Sequence, residues 1–305
     1  MTVPVHTVGH TDGFQRRRTM RRFGTQVVAA ACLVVSSSPP VRAADDGNAI
    51  WRGLSEYSQY ALEVGAELFR WQEFDDGGKR LLTEQGPRFS LAASANNLVR
   101  REPGLIYLST VRIYGGQVQY DGQDDSHAYV SSDTRYGGWN AELGMGYRVM
   151  GEQDVYAVDV YAAAGTERWR RNVLNSQNAT GIATSGSAED YAVDYGRAGL
   201  GFAHKVYDSD GYLDFGVRIP LSVREDTSIN SHSVHLNPRP RGSPFISYKL
   251  SLRPTTRDQP FGAFVKLYYD GYRFGKSKVK SIPTLLVWQP ESSMDAVGLT
   301  LGVSF

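Results

Sequence analysis

The sequence predicts an all-β chain whose antiparallel strands run up and down and close into a barrel of about ten strands that spans a membrane. Three observations support this fold class. Apolar side chains recur at every second position, no apolar run after residue 44 is long enough for a membrane helix, and aromatic residues gather toward strand ends. Successive side chains of a strand point to opposite faces, so each such segment has one apolar and one polar face.

Residues 1–43 have the three parts of a secretory signal peptide. Arg21 and Arg22 precede the nine-residue apolar run Val27–Val35, and a stretch of small residues ends at Ala43. A helix needs about 20 apolar residues to span a bilayer, so this run is too short to be a membrane helix. We expect export and cleavage after Ala43.

The chain is predicted to consist of a signal peptide, a short periplasmic segment and the barrel. We expect Met20 to be the true start, residues 44–57 to form a short periplasmic segment, and residues 58–305 to form the barrel. The only cysteine, Cys32, lies in the signal, so the exported chain would form no disulfide in an oxidising periplasm. Two alternatives stay open, namely a lipoprotein acylated at Cys32 and a buried helix of a cytosolic protein.

The charge of the exported part argues against nucleic acid as a partner. The chain has 33 basic and 32 acidic residues, but its first 43 residues hold six arginines and one aspartate. The remainder therefore has 27 basic and 31 acidic residues, a net charge of −4. A mildly acidic body without a basic cluster does not suit a nucleic-acid surface.

The alternating segments fit two architectures. Residues 60–68, 139–149, 213–223 and 261–270 show the pattern most clearly. A soluble sandwich would bury the apolar faces against each other, whereas a membrane barrel turns them to lipid. The segments have about ten residues where soluble strands have about 5–6, which favours the barrel. Aromatic residues expected at the membrane interfaces are Trp139, Tyr147, Trp169, Tyr207, Tyr212, Tyr269 and Tyr272.

Short and long connections alternate along the chain, and this alternation sets the strand number. Membrane barrels have short turns on one side and long loops on the other, which predicts ten strands here. The segment 276–289 would raise the number to twelve, but Pro283 removes a ladder donor from it. The predicted turns are Arg100–Gly104, Gly151–Asp154, Asp208–Gly211 and Pro254–Gln259. The predicted loops are Asp75–Gly86, Asp121–Asp133, Arg168–Asp190, Arg224–Gly242 and Gly271–Met294.

The last residues resemble the C-terminal recognition signal of bacterial outer-membrane β-barrels. Leu301, Val303 and Phe305 match its alternating apolar residues and terminal phenylalanine, while Thr300 stands where that signal often has glycine. The whole exported chain resembles this class, and no particular member is indicated. The resemblance implies an outer-membrane location, contact with lipid and lipopolysaccharide, and assembly by periplasmic chaperones and the barrel-assembly machinery.

The polar faces of the strands are predicted to line the lumen. A small barrel is just wide enough for side chains to fill, and lone buried ions are costly. We therefore expect an ion-pair network that closes the lumen; a selective pore or a proton-linked path is the alternative. The predicted network is Glu63, Glu67, Arg88, Arg112, Glu142, Arg148, Asp159, Arg218 and Lys266, with Arg197, Asp214 and Lys249 beside it. Pairs near mid-membrane are expected among Glu142, Arg148, Asp159 and Arg218.

Lumen glycines are predicted to lie beside aromatic rings. A symmetric turn after residue 150 would set Tyr161 opposite Gly144, and the same rule would set Arg218 opposite Gly201. Glycine on an inner face leaves room for a neighbouring ring to lie over it.

Two polar loops carry the groups that come nearest to a catalytic site. Asp124 and Asp125 lie in one loop, and Asp226 and His232 lie in another. Carboxylates beside imidazole can activate water as a general base. The pattern is loosely similar to omptins, the ten-stranded outer-membrane proteases, but their aspartate–histidine couple is spaced two apart and this one is six apart. The sequence therefore favours solvated loop residues without a catalytic role, and it predicts no cofactor and no metal site.

Taken by itself, the sequence favours a structural or surface-interaction role for a barrel with a plugged lumen and long external loops. A small, porin-like selective channel is one alternative. An omptin-like surface hydrolase that uses the second and fourth external loops is the other. The sequence does not identify an external ligand.

Overall fold

The computed structural model describes eight stretches of the chain. They are residues 58–98, 102–123, 128–150, 156–207, 209–229, 232–253, 261–283 and 285–305. The predicted signal peptide with Cys32, and residues 44–57, lie outside them. Within the described ranges there is no helix long and apolar enough to cross a membrane.

The described residues form sixteen β-strands. In chain order they are β1 (Gln59–Phe74), β2 (Arg80–Asn96), β3 (Gly104–Gln123), β4 (Tyr129–Met150), β5 (Tyr156–Val173), β6 (Ser176–Gln177), β7 (Ala183–Thr184), β8 (Ala188–Val206), β9 (Ser209–Ile229), β10 (His232–Leu236), β11 (Arg239–Arg241), β12 (Ser243–Arg253), β13 (Gly262–Gly275), β14 (Lys280–Ile282), β15 (Leu285–Val287) and β16 (Glu291–Ser304).

Ten of these strands close into one antiparallel barrel. The order around the barrel is β1, β2, β3, β4, β5, β8, β9, β12, β13 and β16, and β16 pairs with β1. The predicted fold class and strand number are confirmed. Segment 276–289 holds the separate hairpin β14–β15 instead of two barrel strands. β10 pairs antiparallel with the end of β9, and β11 pairs with β13.

The seam between β1 and β16 closes the barrel with the last residues of the chain. The Tyr60 and Phe305 backbones exchange two hydrogen bonds of 3.0 and 2.9 Å, and their rings stack with centroids 6.2 Å apart. Further along the seam, Val64 stands opposite Leu301. Because every strand now has two neighbours, no barrel edge is left without a partner.

Apolar side chains cover the outside of one half of the barrel. Leu68 is 72% exposed and Leu143 is 71% exposed, values that suit contact with lipid and not with water. We call this zone the belt; its outward residues include Leu62, Val64, Leu68, Phe89, Leu91, Leu143, Met145, Val160, Leu200, Val217, Ile219, Leu267, Leu299 and Leu301. A strand crosses a bilayer with about 9–11 residues. Since nine of the ten barrel strands have 14 to 22 residues, the barrel wall continues beyond the belt.

The long predicted loops are therefore mostly strand, and their predicted extents are wrong. Only residues 75–79 join β1 to β2, and β2 takes up the rest of Asp75–Gly86. Beyond the belt the outward residues are polar, so the sequence looks like a loop although the backbone ladder continues. In the same way, β5 continues to Val173 inside the loop predicted at Arg168–Asp190, and β13 continues to Gly275 inside the loop predicted at Gly271–Met294.

The turns at the opposite end are only partly described. Residues 151–155 and 254–260 lie outside the described ranges, and so do the turns predicted at Gly151–Asp154 and Pro254–Gln259. β9 already begins at Ser209, so the turn predicted at Asp208–Gly211 starts earlier than expected.

Three aromatic residues predicted at the membrane interface point into the barrel instead. Trp169 is 1% exposed, Tyr272 is 0% exposed, and the Tyr212 hydroxyl donates to Asp159 at 2.9 Å. Tyr147, by contrast, lies on the outer wall and is 52% exposed. Nearness to a strand end does not decide which face a residue occupies, because neighbouring positions face opposite ways.

We predict that replacing Phe305 with serine lowers the amount of folded barrel. The substitution removes the ring that stacks on Tyr60 and leaves a polar group facing lipid at the seam. Heat-modifiable mobility on gels, measured on membranes from expressing cells, reports the folded fraction. Phe305→Tyr keeps the ring and serves as the control. Equal folded amounts in Phe305→Ser and the wild type would show that the ring is not needed.

Candidate functional site

The candidate site is the interior of the barrel. Strand alternation places the twelve charged residues predicted for the lumen on inward faces, and each is buried or half-buried. Inside the zone of the belt they form a set of ion pairs that we call the lower network. Beyond the belt, the lumen holds aromatic rings and a separate group of acidic residues.

Glu67 is one centre of the lower network. Its carboxylate lies 2.5 Å from the Arg88 guanidinium and also contacts Arg112, and it accepts a hydrogen bond from Tyr268 at 2.6 Å. The Arg88 guanidinium lies over the Phe69 ring, 3.8 Å from its centroid. Two cations on one buried carboxylate thus join the three neighbouring strands β1, β2 and β3 on the inner face of the barrel.

Arg148 and Asp159 form a two-point ion pair between the end of β4 and the start of β5. The Nε and Nη2 atoms of Arg148 donate to the two carboxylate oxygens of Asp159, each at 2.7 Å. Arg148 also donates to the Leu98 carbonyl at 2.6 Å. Arg148 is 2% exposed and Asp159 is 0% exposed, so the pair is fully removed from water.

Two further arginines each lie within ion-pair distance of two carboxylates. Arg197 contacts Glu142 at 3.1 Å and Asp214 at 2.8 Å. Arg218 contacts Asp270 at 2.6 Å and lies 4.0 Å from the Glu167 carboxylate. Lys266 pairs with Glu63 at 2.5 Å on the other side of the lumen. Asp270 and Glu167 are partners that the sequence did not indicate.

Only one of the ion pairs predicted near mid-membrane forms. The prediction concerned Glu142, Arg148, Asp159 and Arg218. Arg148 meets Asp159, but Glu142 and Arg218 find other partners. The cause is strand register. Arg218 stands opposite Arg197 and not opposite Gly201.

Tyr161 also differs from its expected position. It stands opposite Gly146 and not Gly144, because the β4–β5 register is shifted by two residues. Its ring covers Gly199 on the next strand, where an added Cβ would lie 2.7 Å from the ring. The predicted covering of glycine by this ring does occur, but on a different glycine.

The lower network is balanced in charge. Its seven acidic residues are Glu63, Glu67, Glu142, Asp159, Glu167, Asp214 and Asp270, and its seven basic residues are Arg88, Arg112, Arg148, Arg197, Arg218, Lys249 and Lys266. Lys249 lies over the Phe264 ring at 4.1 Å. A cavity of about 220 Å³ lies among these residues. Both signs of charge surround it, which favours cross-lumen pairing over a water column of one sign.

Aromatic side chains fill the lumen beyond the belt. Trp71, Trp169, Tyr191, Tyr272 and Phe274 pack together with 0–2% exposure. The Trp169 and Tyr191 rings stack with centroids 4.8 Å apart. This aromatic core occupies inward positions of several barrel strands.

Four glutamates lie in this part of the barrel with a single arginine. Arg171 contacts Glu189 at 2.6 Å, Glu84 at 2.7 Å and Glu73 at 3.5 Å. Glu225 is the fourth, and all four are 0–2% exposed. We call these five residues the upper cluster. Burial raises the pKa of Glu73 and Glu189, and burial together with Glu189 and Glu73 raises the pKa of Glu225 well above its usual range.

The sequence analysis did not find the upper cluster and the aromatic core because most of their residues fall in predicted loops; Trp71, Glu73 and Tyr191 lie just outside these loops. A usable signal is nevertheless present in β8, where Glu189, Tyr191, Val193 and Tyr195 are spaced two apart and are all buried. The period of two continues there, but with charged and aromatic residues on the inner face in place of small polar ones.

The external loop residues form a different couple from the one predicted. Asp226 contacts His235 and not His232, because the β9–β10 register sets His235 opposite Asp226 and His232 opposite Ile229. The His235 side chain is 62% exposed and lies on the outer wall. Asp124 and Asp125 lie outside the described residues. Among the described residues, no three histidine, cysteine or acidic side chains are placed to hold a metal ion.

Comparison with known proteins identifies the fold. No family model and no curated protein matches the sequence. The outer membrane protease OmpT from Escherichia coli superimposes with a TM-score of 0.54 at 9% identity, over 81% of this chain and 96% of that chain. The transport unit of the autotransporter AIDA-I from Escherichia coli gives 0.42 at 9% identity, over 91% and 97%. The translocator domain of NalP from Neisseria meningitidis gives 0.37 at 8% identity, over 92% and 97%. At this identity, the likeness to OmpT shows a shared barrel fold.

We predict that Arg148→Ala lowers the free energy of unfolding by about 3–5 kcal/mol, because it leaves the Asp159 carboxylate buried without its cation. Urea unfolding of the refolded protein in detergent micelles, followed by tryptophan fluorescence, measures the loss. Arg70→Ala is the control. It breaks an ion pair of 3.4 Å whose arginine is 53% exposed, and it should cost less than about 1 kcal/mol.

The double variant Arg148→Met with Asp159→Leu tests the same explanation. Removing both charges should restore most of the lost stability, since no uncompensated ion remains. A double variant as unstable as Arg148→Ala would show that lost packing, and not the buried charge, causes the effect.

Proposed function

We propose that this chain is a bacterial outer-membrane β-barrel with a closed lumen, and that its role is structural or one of interaction at its external surface. The observation that carries the proposal is the aromatic core around Trp71, Trp169 and Tyr272. A barrel whose interior is filled by packed rings is suited to presenting a rigid surface, whereas a general pore needs an open interior.

The location is inferred from the outer wall and the fold. The belt offers exposed apolar side chains that suit contact with lipid, and OmpT, which has a similar fold, is an outer membrane protease. The resemblance of Leu301, Val303 and Phe305 to the assembly signal of such barrels points the same way. We infer export by the signal peptide from residues 1–43.

The external end is built as an ordered surface. Val234 and Leu236 of β10 pack with Val287 of β15, and Ile282 and Leu285 lie against them. Two external hairpins thus share a small apolar core beyond the barrel wall. This arrangement supports a role in which the external face meets a partner, because its shape is held before any partner binds.

A small channel is the main rival. The cavity of about 220 Å³ lies among the lower network, and the packed rings of the aromatic core lie inside the barrel beyond the belt. Conduction would require the rings of Trp169 and Tyr272 to move apart, which would break stacked contacts at 0–1% exposure.

We predict that planar bilayers containing the refolded wild type show no steady conductance. The physical reason is that stacked rings leave no continuous water path. A double variant, Trp169→Ala with Tyr272→Ala, removes two of these rings and should give more frequent openings. A stable, ion-selective open level in the wild type would refute the closed lumen and support the channel.

The contact of Asp226 with His235 favours a second candidate, a surface hydrolase. An aspartate can orient and stabilise an imidazole that acts as general base. Asp226 borders a groove of about 530 Å³, which is also lined by Arg170, Asp190 and Ser233, whereas His235 does not line it. However, the histidine is mostly exposed, so water is not excluded from the couple as catalysis usually requires.

We predict that the refolded protein does not cleave a panel of peptides of mixed charge, measured by mass spectrometry. The exposed couple lacks the enclosed geometry that would make it an efficient general base. Cleavage by the wild type that is lost in both Asp226→Asn and His235→Ala would establish the hydrolase instead. Retained cleavage in these variants would indicate a contaminating enzyme.

A further inference from the structure

The upper cluster contrasts with the lower network in its charge balance. The lower network has seven acidic and seven basic residues, whereas the upper cluster has four glutamates and one arginine. If all five groups were ionised, a net charge of −3 would lie in a part of the barrel where each side chain is 0–2% exposed. Unpaired ions are very costly to hold away from water.

The single arginine does not reach every carboxylate. Arg171 lies within 2.7 Å of both Glu84 and Glu189, and Glu73 is further away at 3.5 Å. Glu225 has no ion pair of its own, and neither of its carboxylate oxygens has a hydrogen-bond partner among the described residues. The Tyr191 hydroxyl donates to Glu189 at 3.2 Å and also lies close to Glu225. Glu225 is therefore a fully buried acid with no ion pair of its own.

Glu189 and Glu225 are close neighbours on the inner wall. In the β8–β9 ladder Tyr191 stands opposite Glu225, and Glu189 stands opposite Thr227. The two glutamates are thus diagonal cross-strand neighbours on the same face, a separation that long side chains can bridge. Two carboxylates in such a position repel each other when both are ionised, and a proton on one of them removes the repulsion.

We propose that the upper cluster binds protons at neutral pH, held mainly by Glu225 and Glu189, and that acid therefore stabilises the end of the barrel that lies beyond the belt. Protons suit this site because they need no coordination shell. Among the described residues no three acidic, histidine or cysteine side chains are placed to hold a metal ion.

Every barrel strand around the cluster contributes a group that bears on its protonation. Arg171 is the cation, and Tyr120 and Tyr136 supply hydroxyl groups that stay neutral at these pH values. By strand, the groups are Glu73 from β1, Glu84 from β2, Tyr120 from β3, Tyr136 from β4, Arg171 from β5, Glu189 and Tyr191 from β8, and Glu225 from β9.

The sign of the pH effect follows from the raised pKa values of Glu73, Glu189 and Glu225. In the unfolded chain a glutamate loses its proton near pH 4.3, whereas in the folded barrel these groups keep theirs to higher pH. Between the pKa of the unfolded chain and the raised pKa of the folded barrel, the folded state binds more protons than the unfolded state. The stability of the barrel therefore falls as the pH rises through this range. Each such group changes the unfolding equilibrium constant by up to about tenfold per pH unit.

Urea unfolding of the full refolded barrel between about pH 5 and about pH 8 tests the proposal, since stability must fall with pH wherever the folded state holds extra protons. Trp71 and Trp169 adjoin the cluster, and their fluorescence reports the opening of this end. We expect the wild-type midpoint to fall as the pH rises. Glu225→Gln keeps the shape of a neutral acid, so it should flatten this dependence and raise the midpoint at the upper pH.

Glu291→Gln is the matched control. It makes the same chemical change at an external carboxylate that is 46% exposed, and it should leave the pH slope as in the wild type. A second variant, Glu84→Gln, removes a direct partner of Arg171 and should lower the midpoint at every pH. Glu291→Gln and Glu84→Gln together show whether the effect of Glu225→Gln comes from the loss of any carboxylate or from the loss of Glu225 in particular.

Three outcomes would overturn the proposal. A wild-type midpoint that does not fall with pH would show that no extra protons are bound. An equal slope in Glu225→Gln would place the protons elsewhere. Recovery of the wild-type midpoint at the upper pH by calcium, magnesium or potassium chloride, at constant ionic strength and absent in Glu225→Gln, would identify a metal-cation site instead.

Infrared spectroscopy gives a readout that does not depend on variants folding. Wild-type barrel at neutral pH should show absorption from protonated carboxyl groups that persists after exchange of exposed groups. Absence of that absorption in the wild type would refute bound protons even if Glu225→Gln failed to refold.

Discussion

Closure of the sheet at the β1–β16 seam is the constraint on which the rest of the structure depends. Lipid offers no partner to backbone N–H and C=O groups, so a sheet within a membrane must have no open edge. Closure also gives each strand one inner and one outer face. Leu62 and Val64 then face lipid, and Glu63 between them faces the lumen and pairs with Lys266. The apolar belt and the buried ions are thus two results of one geometric condition.

The interior is filled in two different ways. Ten strands leave a lumen just wide enough for side chains, so every inward residue meets residues from other strands. In the zone of the belt the space is taken by ion pairs of balanced charge, as with Arg148 and Asp159. Beyond the belt it is taken by aromatic rings, with acidic residues in excess. This division agrees with a role at the external face, since the half that leaves the membrane is packed like the core of a soluble protein.

Inward and outward positions could be predicted because a strand has a strict period of two, and the strand number followed from the alternation of short and long connections. The ion-pair partners could not be predicted, because they depend on register between neighbouring strands. A shift of two residues keeps every side chain on its face and still changes its neighbour, as Tyr161 shows by standing opposite Gly146. Beyond the belt the sequence predicts loops instead of wall, because the outer face is polar there and the inner face holds rings and charges.

The sequence by itself determined the fold class, the faces of the strands within the belt and the apolar seam that ends at Phe305, because these follow from alternation along one strand at a time. Only the tertiary structure decided which charges meet, that Trp169 and Tyr272 stack inside the barrel, and that Glu225 is buried without an ion pair of its own. Each of these depends on residues more than fifty positions apart or on neighbouring strands of the closed barrel. The distance between two such residues is set by the stagger of the strands around the barrel. This stagger is a property of the whole closed sheet, so the sequence of one strand does not reveal it.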